Sequence, residues 1–220
     1  MPASAALAAT PARSASHAAV THAEKLDEVR ELQARIREMQ ATKLDTRALD
    51  TSPTVAGLLP GGVLRTGVAY SIEGSTSLAM ALMAGPSAAG AWCGVVGVPS
   101  FGTEAAAAAG IDLDRLALVP YPGDQWLPVT AALADVLTVV LVRPPLAPSD
   151  GNVSRLMARL RERGSTLIVL GRWPGSEARL EVTGSAWGGL GDGHGHLTQR
   201  TVTVGVTGRA GSQERRLVLP

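Results

Sequence analysis

Aromatic side chains and cysteine are scarce in this sequence of 220 residues, which has one Phe, two Tyr, four Trp and one Cys. A single cysteine excludes an internal disulfide framework and a cysteine-rich metal site. Cys93 is therefore expected to be a small buried hydrophobe. Because hydrophobic residues still make up 45% of the chain, the core must consist mainly of Ala, Val and Leu, as in parallel sheets covered by helices.

The chain also lacks an excess of charge of either sign and any long apolar run. Its 20 basic and 19 acidic residues give a net charge of +1, which creates no overall field to attract nucleic acid or an anionic membrane. Any contact with DNA is therefore expected to be weak or indirect. No apolar stretch approaches the roughly 20 residues that span a bilayer. We expect a soluble, cytoplasmic protein with no membrane partner.

The first 45 residues differ in character from the rest. Residues 1–22 are rich in Ala and Ser and are expected to form a disordered tail. Residues 23–45 are predicted to hold an amphipathic helix, because apolar residues recur there at spacings of three and four among charged ones. This apolar stripe is the candidate partner-binding site and consists of Leu26, Val29, Leu32, Ile36 and Met39. A stripe of this length either docks on the chain's own core or mediates partner binding or self-association.

Residues 46–220 are predicted to form one α/β core domain with a largely parallel sheet, because apolar strands alternate with helices. The predicted strands are 68–72, 91–98, 116–120, 136–142 and 166–170. The predicted helices are 79–84, 104–109, 126–134 and 153–163, and the first is expected to end at Gly85-Pro86. Segments 178–183, 200–206 and 214–219 alternate polar with apolar residues, which predicts a C-terminal antiparallel extension.

A degenerate phosphate loop follows the first predicted strand. A working P-loop reads G-x-x-x-x-G-K-[ST]; its backbone N–H groups wrap the phosphates, its Lys reaches the terminal ones and its hydroxyl holds Mg²⁺. The loop here consists of Gly74, Ser75, Thr76 and Ser77. It has no second glycine and no lysine. The strand at 136–142, where a P-loop ATPase carries an Mg²⁺-binding Asp, runs instead into Arg143. These losses predict a chain that is not an enzyme and binds no cofactor or metal.

The order of segments resembles the RecA-type recombinase core. Leu-Leu-Pro-Gly-Gly-Val-Leu at 58–64 precedes the strand and the loop, and Ala-Gly-Ile-Asp-Leu-Asp-Arg-Leu at 109–116 looks like the recombinase segment that links helix to strand. More closely, the amphipathic helix before 58–64 and the glycine-rich tail at 187–200 are similar to those of the ImuA-type mutasome accessory proteins, which are RecA-like.

This resemblance implies a pseudo-ATPase that acts in the DNA damage response and DNA repair through protein-protein interaction. Its implied role is that of a non-catalytic adaptor in error-prone translesion DNA synthesis, with mutagenesis as the consequence. The implied partners are an inactive Y-family polymerase homologue, an error-prone C-family DNA polymerase and RecA. An alternative is a regulator that imitates a recombinase protomer and blocks assembly of a filament-forming or division protein. A third alternative, an ATP-driven recombinase, requires Mg²⁺-nucleotide binding through residues 75–77.

Overall fold

The computed structural model of the chain describes residues 47–190, 195–209 and 211–219. The predicted tail at 1–22 and the predicted amphipathic helix at 23–45, with its apolar stripe, lie outside the described residues. Both stay predictions. Among the described residues, no helix is long and apolar enough to cross a membrane.

Ten strands and five α-helices are formed by the described residues. The strands are β1 (Ala48–Leu49), β2 (Leu64–Arg65), β3 (Ala69–Glu73), β4 (Cys93–Val96), β5 (Leu116–Val119), β6 (Val139–Val142), β7 (Thr166–Leu170), β8 (Ala178–Leu190), β9 (Gly195–Gly208) and β10 (Gly211–Leu219). The helices are α1 (Pro53–Ala56), α2 (Thr76–Ala88), α3 (Thr103–Ala108), α4 (Trp126–Ala134) and α5 (Asp150–Arg163). Short 3-10 turns lie at Pro60–Gly62, Leu113–Arg115 and Gly123–Gln125.

Eight of the strands form one sheet in the order β10-β9-β8-β3-β7-β6-β4-β5, and β1 pairs with β2 in a separate antiparallel pair. Strands β3 to β7 and the start of β8 run parallel. Strands β8, β9 and β10 pair antiparallel. The α/β class, the mostly parallel sheet and the antiparallel extension are therefore confirmed, in agreement with the RecA-like core that the order of segments predicts.

Hydrophobic side chains are buried on both faces of the parallel sheet, because successive residues of a strand point to opposite faces. In β6, Val139 and Leu141 pack with α2, while Val140 and Val142 pack with α4 and α5. A strand covered on both faces reads as a continuous apolar run. This explains why the alternation of strands and helices could be predicted from the sequence.

Helix α2 does not end at Gly85-Pro86 as predicted; it continues through both residues to Ala88. Gly85 is required by packing, because a Cβ there would lie 2.6 Å from the carbonyl oxygen of Asp50 and 2.8 Å from the nitrogen of Ser52. Pro86 lies in the last turn, where its missing N–H removes one helical hydrogen bond. Gly85 therefore marks the point where the backbone of residues 50–52 passes close to α2.

The strand predicted at 136–142 is shorter in the structure, because β6 begins at Val139. The backbone N–H groups of Val136 and Leu137 donate to the carbonyl oxygen of Leu133 and continue the turn that ends α4. Val136 is 74% exposed. The apolar pattern of this segment therefore extends beyond the buried strand. The three antiparallel strands are each longer than predicted, reaching 13 residues in β8 and 14 in β9.

Candidate functional site

The degenerate loop is a two-residue turn at the carboxyl edge of the sheet. Strand β3 ends at Glu73 and helix α2 begins at Thr76, so Gly74 and Ser75 alone connect them. Gly74 has a φ of 84°, a conformation that favours glycine. Ser75 is the N-cap of α2, and its Oγ accepts a hydrogen bond from the backbone N–H of Leu78 at 3.1 Å, as N-cap residues do. A turn this short cannot wrap a phosphate with successive N–H groups.

Thr76 contacts the residue that follows β6. The Nη2 of Arg143 donates to Oγ1 of Thr76 at 3.5 Å. Because carboxyl ends of parallel strands meet at one edge of a sheet, the end of β6 lies near the loop although β7 separates β6 from β3. The guanidinium therefore stands where an ATPase would place a carboxylate, and its charge would repel a metal ion.

Ser77 is held by a side chain from the antiparallel extension. The Nη1 of Arg200 in β9 donates to Oγ of Ser77 at 3.2 Å, and its Nε donates to Oγ of Ser185 at 2.9 Å. The same guanidinium lies over the indole ring of Trp187, 5.5 Å from its centroid, within the range of a cation–π interaction. Arg200 therefore connects the first turn of α2 to β8 and β9.

We call Arg143, Arg200 and the hydroxyl groups of Thr76 and Ser77 the arginine latch. Both hydroxyls at the start of α2 accept hydrogen bonds from guanidinium groups that other strands supply. The two guanidinium groups therefore connect the first turn of α2 to the residue after β6 and to β9.

A β-bulge in β8 brings Ser185 and Trp187 to the face of the sheet on which Arg200 lies. The pairing of β8 with β9 shifts by one residue between Val182 and Gly184. As a result, Trp187 pairs with Arg200, on the face of the sheet that carries the buried Val202. Such a bulge reverses the face to which the later residues of a strand point.

Glu73, the last residue of β3, forms ion pairs at the same edge of the sheet. Its Oε1 lies 2.6 Å from Nε of Arg179 and 3.3 Å from Nε of Arg172. The shorter contact is an ion pair and not a hydrogen bond. Neither Oε1 of Glu73 nor Nε of Arg179 has a hydrogen-bond partner within the described residues. Arg179 also contacts Glu181 at 3.1 Å. The carboxylate of Glu73 is therefore paired with two arginine side chains.

Of the residues predicted for the loop, Gly74 and Ser75 form it, whereas Thr76 and Ser77 are the first two residues of α2, which begins three residues before the predicted helix. Arg143 was predicted at the end of its strand. The part played by Arg200 was missed, because its neighbours Ser185 and Trp187 share its face only through the bulge in β8. Gly184 is the one signal in the sequence, since glycine within a strand often marks a bulge. In the described part of the chain, no three His, Cys, Asp or Glu residues are grouped so as to hold a metal ion.

The model of the MT3502 N-terminal domain matches residues 57–175. The chain belongs to this family. The MT3502 N-terminal domain match includes the two-residue loop and Arg143, but it ends before β8, so Trp187 and Arg200 lie beyond it.

Known proteins that are similar to this chain include one from a mycobacterium and one from an archaeon. The uncharacterized protein Rv3395c of Mycobacterium tuberculosis is 34% identical over 164 residues, which cover 72% of this chain and 76% of that protein. The KaiC-like protein PH0186 of Pyrococcus horikoshii is similar in structure with a TM-score of 0.47 and 14% identity, over 80% of this chain and 100% of that chain. The ImuA-type interpretation stays a hypothesis.

Proposed function

We propose that the chain is a non-catalytic RecA-like adaptor that supports error-prone translesion DNA synthesis after DNA damage. The arginine latch is the observation that supports the lack of catalysis. Nucleotide hydrolysis by a P-loop protein needs backbone N–H groups around the phosphates, a Lys on the terminal ones and a hydroxyl on Mg²⁺. Here the loop has two residues and no Lys, and both nearby hydroxyls accept hydrogen bonds from arginine.

The proposed partners are an inactive Y-family polymerase homologue, an error-prone C-family polymerase and RecA, and the proposed place of action is the cytoplasm. This part rests on the resemblance of the sequence to ImuA-type proteins. The apolar stripe at 23–45 is the proposed contact, because an amphipathic helix commonly docks its apolar face in a groove of a partner.

Calorimetric titration with Mg²⁺-ATP tests whether the chain binds nucleotide, which hydrolysis would require. We expect no heat of binding for the wild-type chain or for the double variant Arg143→Ala/Arg200→Ala, which frees the two hydroxyls but supplies no Lys. Binding in the micromolar range by the wild type would overturn the pseudo-ATPase proposal. Binding by the double variant alone would show that the latch, and not the missing Lys, prevents nucleotide binding.

Purification of the tagged protein from its native host after DNA damage tests the adaptor role. We expect a Y-family polymerase homologue to be recovered from wild-type cells and lost with Leu32→Asp/Ile36→Asp. The matched control is Ala34→Asp/Ala41→Asp, which places the same charges on the face of the predicted helix opposite the stripe. Thermal melts of both variants exclude unfolding as the cause. Recovery of a division or filament-forming protein instead would replace this proposal with the regulator that imitates a recombinase protomer.

A further inference from the structure

A small groove lies between α4 and α5, on the face of the sheet opposite α2. Its volume is about 200 Å³. The floor is apolar and consists of Leu127, Pro128, Ala131 and Leu156. Pockets for cofactors and drug-sized ligands are usually about 300–1,000 Å³, whereas a cavity of roughly 150 Å³ accepts a single benzene ring. The groove therefore has room for one apolar side chain rather than for a cofactor.

The rim of this groove presents hydrogen-bond donors beside the apolar floor. Arg155 is exposed and forms no ion pair or side-chain hydrogen bond within the described residues. Arg159 donates from Nε and Nη2 to the two carboxylate oxygens of Asp135, both at 2.7 Å. This pair orients the guanidinium of Arg159 and leaves its Nη1 unused, since Arg carries five N–H donors in a rigid fork. Asn152 completes the rim.

We propose that this groove binds an acidic segment of a partner protein that inserts one apolar side chain. The unpaired charge of Arg155 and the donors of Arg159 and Asn152 complement carboxylate groups. The apolar floor requires a hydrophobic anchor next to those carboxylates. A phosphate backbone would satisfy the donors but would leave the floor unfilled, so the chemistry favours a peptide over a nucleic acid.

The other side of α5 offers a comparison within the same helix. A second groove there is lined by Met157 and Arg161, but also by the carboxylate of Asp150. It therefore carries both signs of charge, whereas the α4–α5 groove carries Arg155 without an acidic residue in contact. An acidic peptide should distinguish the two grooves.

Fluorescence polarisation with synthetic peptides tests this proposal on the full-length chain. The probes are fluorescein-labelled dodecapeptides in which one Leu, Ile or Phe is flanked by Asp and Glu. We expect at least one probe to bind the wild type, Arg155→Glu to weaken it about tenfold or more, and Arg161→Glu to leave it nearly unchanged. The probe in which the apolar residue is replaced by Ser should also bind about tenfold less tightly.

A second pair of variants tests the floor independently of charge. Ala131→Phe fills the groove and should abolish binding, while Ala132→Phe, an exposed position on the same helix, should not. Thermal melts establish that both variants are folded. Three outcomes would overturn the proposal. No acidic probe binds, Arg155→Glu and Arg161→Glu lose the same affinity, or an oligothymidylate at equal concentration competes with the probe. Its outcome is independent of translesion synthesis, because the assay contains no polymerase.

Discussion

Arg200 donates a hydrogen bond to Ser77 across 123 residues of sequence, with 3.2 Å between Nη1 and Oγ. Arg200 belongs to the antiparallel extension, and Ser77 belongs to the first turn of α2, directly after the two-residue loop. The contact therefore joins a residue within the family match, Ser77, to one beyond it, Arg200, since the match ends at residue 175. The extension, through Arg200, helps to hold the turn in place.

Removing this guanidinium should weaken the attachment of β9 to α2. For Arg200→Ala we expect the free energy of unfolding to fall by about 1–2 kcal/mol, because two hydrogen bonds and a cation–π contact are lost. The measurement is urea unfolding followed by circular dichroism. The control is Arg209→Ala, whose side chain is 88% exposed and lies 3.7 Å from Glu177, and whose effect should stay below about 0.5 kcal/mol. Equal effects of the two variants would contradict a structural role for Arg200.

The two halves of the latch differ in how far the sequence predicts them. Arg143 follows a strongly apolar strand, and the carboxyl ends of parallel strands converge, so its position near the loop follows from the fold class. Arg200 lies on the same face of β9 as the buried Val202 and Val204, whereas its neighbours in β8 reach that face only through the one-residue shift before Gly184. A one-residue shift moves a side chain to the opposite face. Sequence periodicity does not locate such a shift, so the contacts of Arg200 with Ser185 and Trp187 required the structure.

Gly85 also illustrates a limit of local sequence signals. Glycine followed by proline commonly ends a helix, and this rule predicted the wrong boundary for α2. The actual reason for glycine is the backbone of residues 50–52, which passes within 3 Å of the position of a Cβ. That neighbour is distant in sequence, so no local pattern could reveal it.

Substitution of Gly85 provides a direct test of this close approach. Gly85→Ala should lower the free energy of unfolding by about 1–3 kcal/mol, because backbone atoms at 2.6–2.9 Å must move and overpacking has costs of that size. The control is Gly151→Ala in α5, where no atom lies within 4 Å of the new Cβ. That change should be neutral or stabilising by up to about 1 kcal/mol, since alanine favours helices. Thermal denaturation of both variants measures the difference, and stabilisation by Gly85→Ala would contradict the packing.

The ion pair between Asp135 and Arg159 should make stability depend on pH in the acid range. Hydrogen bonds from Arg159 hold the pKa of the Asp135 carboxyl below its usual value. A carboxyl with a lowered pKa in the folded chain contributes stability above the unfolded pKa of about 4. That contribution is lost as the pH falls through the pKa that Asp135 has in the folded chain.

Replacement of Asp135 by Asn isolates this contribution. At pH 7 we expect the melting temperature of Asp135→Asn to lie below that of the wild type, and the difference to shrink as the pH is lowered from 5 to 3. The control is Asp124→Asn, an exposed carboxyl without an ion pair in the described parts of the chain, which should follow the wild type. A difference that stays constant between pH 5 and 3 would exclude the Asp135 carboxylate as its source.

Tyr70 connects β3 to β2 through the hydroxyl group of a fully buried side chain. Its Oη accepts a hydrogen bond from the backbone N–H of Arg65 at 3.0 Å, and its side chain is 0% exposed. Tyr70→Phe leaves that N–H without its acceptor and should lower the free energy of unfolding by about 1–3 kcal/mol. Urea unfolding at pH 7 measures this loss.

Ionisation of the Tyr70 phenol should lower the stability of the fold in alkaline solution. Burial raises the pKa of Tyr70 to about 12, above the value near 10 that it has when unfolded. The stability that depends on the neutral phenol is complete below pH 10 and declines as the pH rises toward 12. Scanning calorimetry should therefore show the advantage of the wild type over Tyr70→Phe decreasing between pH 9 and 11. The control is Tyr121→Phe, at an 81% exposed position, which should follow the wild type throughout. A parallel decline in the melting temperature of all three proteins would show that the buried phenol does not titrate as proposed.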